Sequence, residues 1–163
     1  MSTTFGLADA RALIDRALDK ATELGRLGAF VVVDEGGNVL SISRMDGAPA
    51  AGVDVSRAKA YLAAVSKERT KPFGDRMHHY FERWDGWRAS VPEAIFPGPG
   101  GMPIVREGRI VGGIATGPAV ELPVDDAKVT IDGKRANTED LVIAHALGIP
   151  YEDQHGPPIP PSH

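Results

Sequence analysis

The chain of 163 residues holds no cysteine, carries a formal net charge of −4, and is 42% hydrophobic and 25% charged, the composition of one globular domain with a full core. The lack of thiols excludes disulfides, thiolate metal sites, a cysteine nucleophile and covalent c-type haem attachment. No basic stripe interrupts the acidic balance and no apolar run approaches spanning length, so neither a nucleic-acid nor a membrane partner is expected.

The first residues lack the basic-then-apolar pattern of a secretory signal, so a cytoplasmic location is expected. Leu7, Ala10, Leu13, Ile14, Ala17, Leu18, Ala21 and Leu24 recur at three- and four-residue spacing and predict a helix over 7–24, stopped by Gly25. Ala29 to Val33 is an apolar, β-branched run, 34–38 is dense turn chemistry, and Val39 to Met45 alternates: a β-hairpin. An Ala-rich helix follows over 54–66. The stretch 72–87 mixes aromatic, basic and acidic residues and reads as a helix, or as a helix followed by a loop. Residues 92–103 form a loop around Pro97-Gly98-Pro99-Gly100-Gly101, a composition no regular element tolerates.

A second hairpin is predicted over 102–116, turning at Glu107-Gly108, with Gly112-Gly113 allowing close backbone approach. A third hairpin is expected within 120–135, turning at Asp132-Gly133. A last helix begins at Asn137 or Thr138 and ends at Gly148. No repeat or domain boundary appears, so residues 1–150 read as a single domain and 151–163 as a Pro-rich, extended tail. Hairpins alternating with helices predict an α+β domain: an antiparallel sheet with flanking helices in two layers.

Several side chains carry candidate chemistry. Arg44 and Asp46 follow a strand, where the Arg would hold a carboxylate bidentately or pair with the Asp to shape the turn. Ser56 and Lys59 share a helix face, and the surrounding alanines leave little room for full exposure. Lys59 would then anchor an acid or act as a base. Tyr61 reads as a core or interface aromatic. Arg76, His78, His79, Tyr80, Glu82 and Arg83 form the richest cluster, either acid–base chemistry around a histidine or the exposed face of an interface helix. His78 and Glu82 are spaced i, i+4, but no third ligand accompanies them, so no metal centre is expected. Gly100 and Gly101 lack the strand–helix context of a phosphate loop, yet their N–H groups would suit an anion or simply a tight crossover. His145 reads as a packed helix residue, and His155 and His163 as idle.

Four stretches carry a resemblance: LADARALIDRALDKATELG at 7–25, VVVDEGGNVLSISRMDGAP at 31–49, SRAKAYLAA at 56–64 and GGMPIVREGRIVGGIATG at 100–117. In this order they resemble the GlcG/HbpS-like proteins, which include the C-terminal domain of PduO-type adenosyltransferases. The resemblance implies a profilin-like α+β fold, homo-oligomers built from dimers, and haem or corrinoid binding in some members. Several members sit among catabolic genes for small organic acids. The chain departs from the pattern at 67–99, which is rich in aromatics and histidine, and at 118–137, which reads as an insertion.

Two functions from different classes follow. One is a cofactor-independent lyase, decarboxylase or isomerase acting on a small carboxylic acid in a catabolic pathway. There Arg44, Lys59 or Arg76 anchors the carboxylate and Asp46, Ser56, Gly100 and Gly101 complete the binding site. His78 or His79 moves the proton with Lys59 and Tyr80 beside it, and Phe73, Tyr80, Trp84 or Trp87 holds an aromatic ring. The other is a binding module for haem or a corrinoid, with the pocket between subunits, Arg44 or Lys59 on the propionates and His78 or His79 as axial ligand. The unusual content of 67–99 favours the enzyme, and the resemblance favours the binding module.

Overall fold

The computed structural model describes residues 4–117 and 129–152. In chain order these form α1 (Leu7–Glu23), β1 (Ala29–Asp34), β2 (Val39–Arg44), α2 (Ala51–Ser66), α3 (Thr70–His78), α4 (Phe81–Ser90), β3 (Gly101–Arg106), β4 (Arg109–Gly117), β5 (Thr130–Ile131), β6 (Lys134–Arg135) and α5 (Thr138–Leu147). The four longer strands make one antiparallel sheet in the order β2-β1-β4-β3.

β1 explains why the sequence shows a continuous apolar run rather than an alternation. It is central, and both of its faces are covered. Phe30 and Val32 point into a core shared with α1 and α5, while Val31 and Val33 pack on Ala60 and Ala64 of α2. The expected α+β class, antiparallel sheet and flanking helices are all present. In place of two layers there are three, because α1 and α5 cover one face and α2 the other. The edge strand β2 keeps Val39 and Ile42 exposed.

Small residues bring α2 down onto the sheet. A Cβ on Gly113 would lie 2.2 Å from the Ala60 carbonyl oxygen, so only glycine lets helix and strand meet there. The helix begins at Ala51, three residues before the sequence signal, and ends with Lys67 in the left-handed region.

The 72–87 segment is neither a single helix nor a helix with a loop. α3 ends at His78, the chain turns at Tyr80 (φ −133°, ψ 63°), and α4 begins as the amides of Arg83 and Trp84 donate to the Tyr80 carbonyl. The reversal buries Phe73, whose ring meets Trp84 at 6.4 Å and Trp87 at 5.1 Å, both edge-on, above Tyr61, Leu62 and Ile95. Tyr61 is a core aromatic, its ring closing over Gly37 in the β1–β2 turn.

The third hairpin is a two-residue turn at Asp132-Gly133, both at positive φ, joining β5 and β6. Its proposed start at Val120, and the Pro-rich tail from Asp153 with His155 and His163, lie outside the described residues. Among the described residues no helix is long and apolar enough to cross a membrane.

Candidate functional site

The strand register gathers Ala29, Arg44, Gly101 and Gly117 at one end of the sheet. Onto this end α2 delivers Ser56 and Lys59, and α5 delivers Glu139 and Asp140. The loop before β3 passes between them. Lys59, 2% exposed, donates from Nζ to Glu139 Oε2 at 2.8 Å and to the Thr116 carbonyl at 3.3 Å. The Phe96 ring centroid lies 5.4 Å from the same ammonium. The other Glu139 oxygen accepts from Arg26 Nη2 at 3.0 Å, and that arginine is also buried. One carboxylate therefore serves two buried cations, which is how charges survive in a low-dielectric interior.

Gly100 and Gly101 both use their N–H groups inside the protein. The anion that Gly100 meets is the chain's own Asp140, whose Oδ1 accepts from Gly100 N at 2.8 Å. Gly101 N donates to Thr70 Oγ1 at 3.1 Å, and the same hydroxyl donates to the Gly98 carbonyl. Gly100 has φ +96°, and a Cβ there would lie 2.6 Å from the Thr116 carbonyl oxygen, so the crossover is fixed by backbone shape as well as by hydrogen bonds. Ser56 is fully buried and its Oγ donates to the Ala29 carbonyl at 2.9 Å, pinning α2 to β1.

Burial raises the pKa of the Asp140 carboxyl, and the neighbouring Glu139 charge raises it further. The Gly100 N–H, Arg69 and Lys59 offset part of that rise. The sign follows from linkage. A carboxyl that holds its proton more tightly when folded than its ordinary 3.8 leaves stability intact below that value, and loses it as pH rises through the folded pKa. Asp140→Asn keeps an oxygen for Gly100 and removes the titration. Urea midpoints measured across pH should show the native protein losing ground against Asp140→Asn as pH rises from about 4 to neutrality. Parallel profiles would contradict the assignment.

Other candidates lie elsewhere. Arg44 donates to the Ala48 carbonyl at 2.6 Å and so closes its own turn, while Asp46 is exposed. Arg76 grips both oxygens of Glu68, one at 2.8 Å. Trp84 belongs to the Phe73 cluster. His78 and His79 stand at the α3–α4 corner with ring centroids 5.5 Å apart and planes at 87°. Glu82 falls on the next helix, so its four-residue spacing from His78 does not place the two on one helix. The packed position expected of His145 is corrected: it is exposed, because Val142, Ile143 and Ala146 form the buried side of α5. The structure thus unites Ser56, Lys59, Gly100 and Gly101, sets Arg44 and Asp46 at the strand end nearby, and gathers Arg76, His78, His79, Tyr80 and Trp84 on the helical corner.

Sequence reasoning did not single out Arg26, Thr70, Phe96, Glu139 or Asp140. Two acids opening a helix are accounted for by the helix dipole alone, so nothing marked them as partners of Lys59.

The chain has known counterparts. A family model described as haem degrading protein HbpS-like matches residues 5–133. Over 111 residues, 68% of this chain and 78% of the other, it is 31% identical to an uncharacterized 15.0 kDa protein in the dhaT-dhaS intergenic region of Citrobacter freundii. Its structure is similar to that of Klebsiella pneumoniae protein ORFY, with a TM-score of 0.70, 26% identity and 91% of each chain covered. It is also similar to PduOC, solved as a haem complex, with a TM-score of 0.69 over 90% of this chain and 94% of that one. At 17% identity that last likeness is one of fold alone.

Proposed function

The chain belongs to the HbpS-like family, and from that premise we propose that it is a binding module for haem or a related macrocycle, held at the α3–α4 corner by the His78 imidazole. One observation carries this reading. His78 is exposed, and among the described residues neither His78 nor His79 makes a side-chain hydrogen bond or ion pair. Tyr80 and Phe81 beside them are 53% and 69% exposed. Unpaired imidazoles next to bare aromatic surface fit a flat, metal-bearing ring better than they fit water. Arg83, its guanidinium 4.7 Å from the Tyr80 centroid, adds a cation to the rim where acidic substituents would lie. When bound, haem would supply the redox chemistry, and the chain would hold and orient it.

The propionate contact considered for Lys59 is not favoured, because Glu139 already occupies its buried ammonium, whereas Arg44 is exposed and spends one Nη on the Ala48 carbonyl. The test is an absorption titration with haemin beside a size-exclusion profile. A saturating, stoichiometric Soret shift is expected. A shift no larger than that of an unrelated protein would remove the proposal.

The second reading is the cofactor-independent lyase, decarboxylase or isomerase on a small aromatic carboxylate. One observation favours it: Phe96, 44% exposed, covers the Lys59 ammonium, so moving that ring would open a cation beside the Asp140 carboxyl. Against it, a histidine acting as general base needs a group to orient it, and neither imidazole has one among the described residues. Turnover of a panel of small aromatic acids, lost in Lys59→Met, would shift the assignment to this reading.

A further inference from the structure

α4 buries none of its residues, yet it carries both of the chain's tryptophans. A shallow groove of about 390 Å³ runs along it, lined by Arg83, Gly86, Trp87, Ser90 and Val91. Arg83 and Trp87 are one turn apart on one face, and the Val91 amide donates to the Trp87 carbonyl at 3.2 Å, so the three share a wall. Gly86 and Ser90 form the floor. It is open, since a Cβ on Gly86 would meet nothing within 4 Å.

Two features of the wall point to a ligand. The Trp87 ring stands edge-on to the buried Phe73 ring at 5.1 Å, so the platform is already fixed and little ordering is needed on binding. One turn away, the Arg83 guanidinium lies 4.7 Å from the Tyr80 centroid and makes no hydrogen bond or ion pair among the described residues. Of the acids on α4, Asp85 is paired with Arg88 at 2.9 Å and Glu82 does not line the groove. The Ser90 hydroxyl spends its proton on the Gly86 carbonyl at 2.6 Å. The groove therefore offers an aromatic face and an uncompensated planar cation, separated by about 6 Å of helix rise. Its volume stands at the small end of ligand pockets, which run roughly from 300 to 1,000 Å³. That suits one ring with a short side chain and not a macrocycle.

We propose that the α4 groove is a binding site for a small aromatic carboxylate, its ring on Trp87 above Gly86 and its carboxylate on the Arg83 guanidinium. The site does not rest on the haem reading, with which it shares Arg83 alone.

In full-length Trp84→Phe, emission reports on Trp87 alone. Titration of that protein with 3-phenylpropionate should change the emission saturably. Two controls separate the halves of the ligand: 3-phenyl-1-propanol keeps the ring and lacks the charge, and acetate keeps the charge and lacks the ring. Each should bind about tenfold more weakly or worse, the scale of one hydrogen bond to a charged group. Arg83→Gln should weaken the acid by a similar factor and leave the alcohol unchanged. Gly86→Leu fills the floor with a better helix former, so it should abolish binding while Tm is kept or raised. No saturable change, equal affinity for acid and alcohol, or full binding in Gly86→Leu would each overturn the proposal. His78→Ala should bind the acid as the native protein does, even if its haemin response is lost. Loss of the acid in that variant would move the ligand to the histidine corner and overturn the groove.

Discussion

Glu139→Gln is expected to cost about 3–5 kcal/mol of folding stability, the scale for breaking a buried ion pair by removing one partner, and to lower Tm by on the order of 10 °C. The carboxylate is shared. It accepts from Lys59 at 2.8 Å and from Arg26 at 3.0 Å, and all three side chains are buried. The neutral amide takes the counter-charge from both cations at once. Lys59→Met removes one cation and leaves the Arg26–Glu139 pair in place, so it should cost distinctly less. The double variant should be less destabilised than the sum of the two, because the groups form one network. In Glu139→Gln the Asp140 carboxyl also loses a neighbouring charge that raises its pKa, so its titration should move down. Equal costs for Glu139→Gln and Lys59→Met, measured by urea unfolding, would show that the carboxylate does not serve both cations. The consequence reaches the loop, since Gly100 is held between Asp140 and the Thr116–Glu139 wall.

What was legible in the sequence was local. The β1 run announced itself because a strand covered on both faces has no polar side to interrupt it, and the turn chemistry at 34–38 set the hairpin beside it. The burial of Lys59 could be read from its alanine neighbours, which pack against the sheet. Its partners could not. Arg26 and Glu139 are 113 positions apart, and each has an ordinary local explanation at a helix end. The break between α3 and α4 was equally hidden. It has no Gly or Pro at the turn, and is accounted for only when Phe73 is seen to need Trp84 and Trp87 above it. The exposure of His145 escaped for a similar reason: the small and apolar residues around it left the buried side of α5 undecided until α1 was placed against it.

His78→Ala should abolish the specific Soret shift with haemin, whereas His79→Ala should weaken binding without eliminating it. The two rings meet edge to face at 5.5 Å, so they cannot approach opposite sides of one macrocycle, and a single imidazole must ligate. His78 is exposed and available. His79 is partly buried at the cap of α3, with its ring packed edge-on against that of His78. Phe81→Ala tests the aromatic half of the site separately. It removes apolar surface that the protein alone leaves exposed, so it should lower haemin affinity while leaving thermal stability nearly unchanged. The same Soret titration for the native protein and for His78→Ala would take the metal ligand away from this corner. Loss in His79→Ala alone would exchange the two roles. In either variant the buried Lys59–Glu139–Arg26 network is untouched, so a change in Tm would point to a structural role for the histidine rather than ligation.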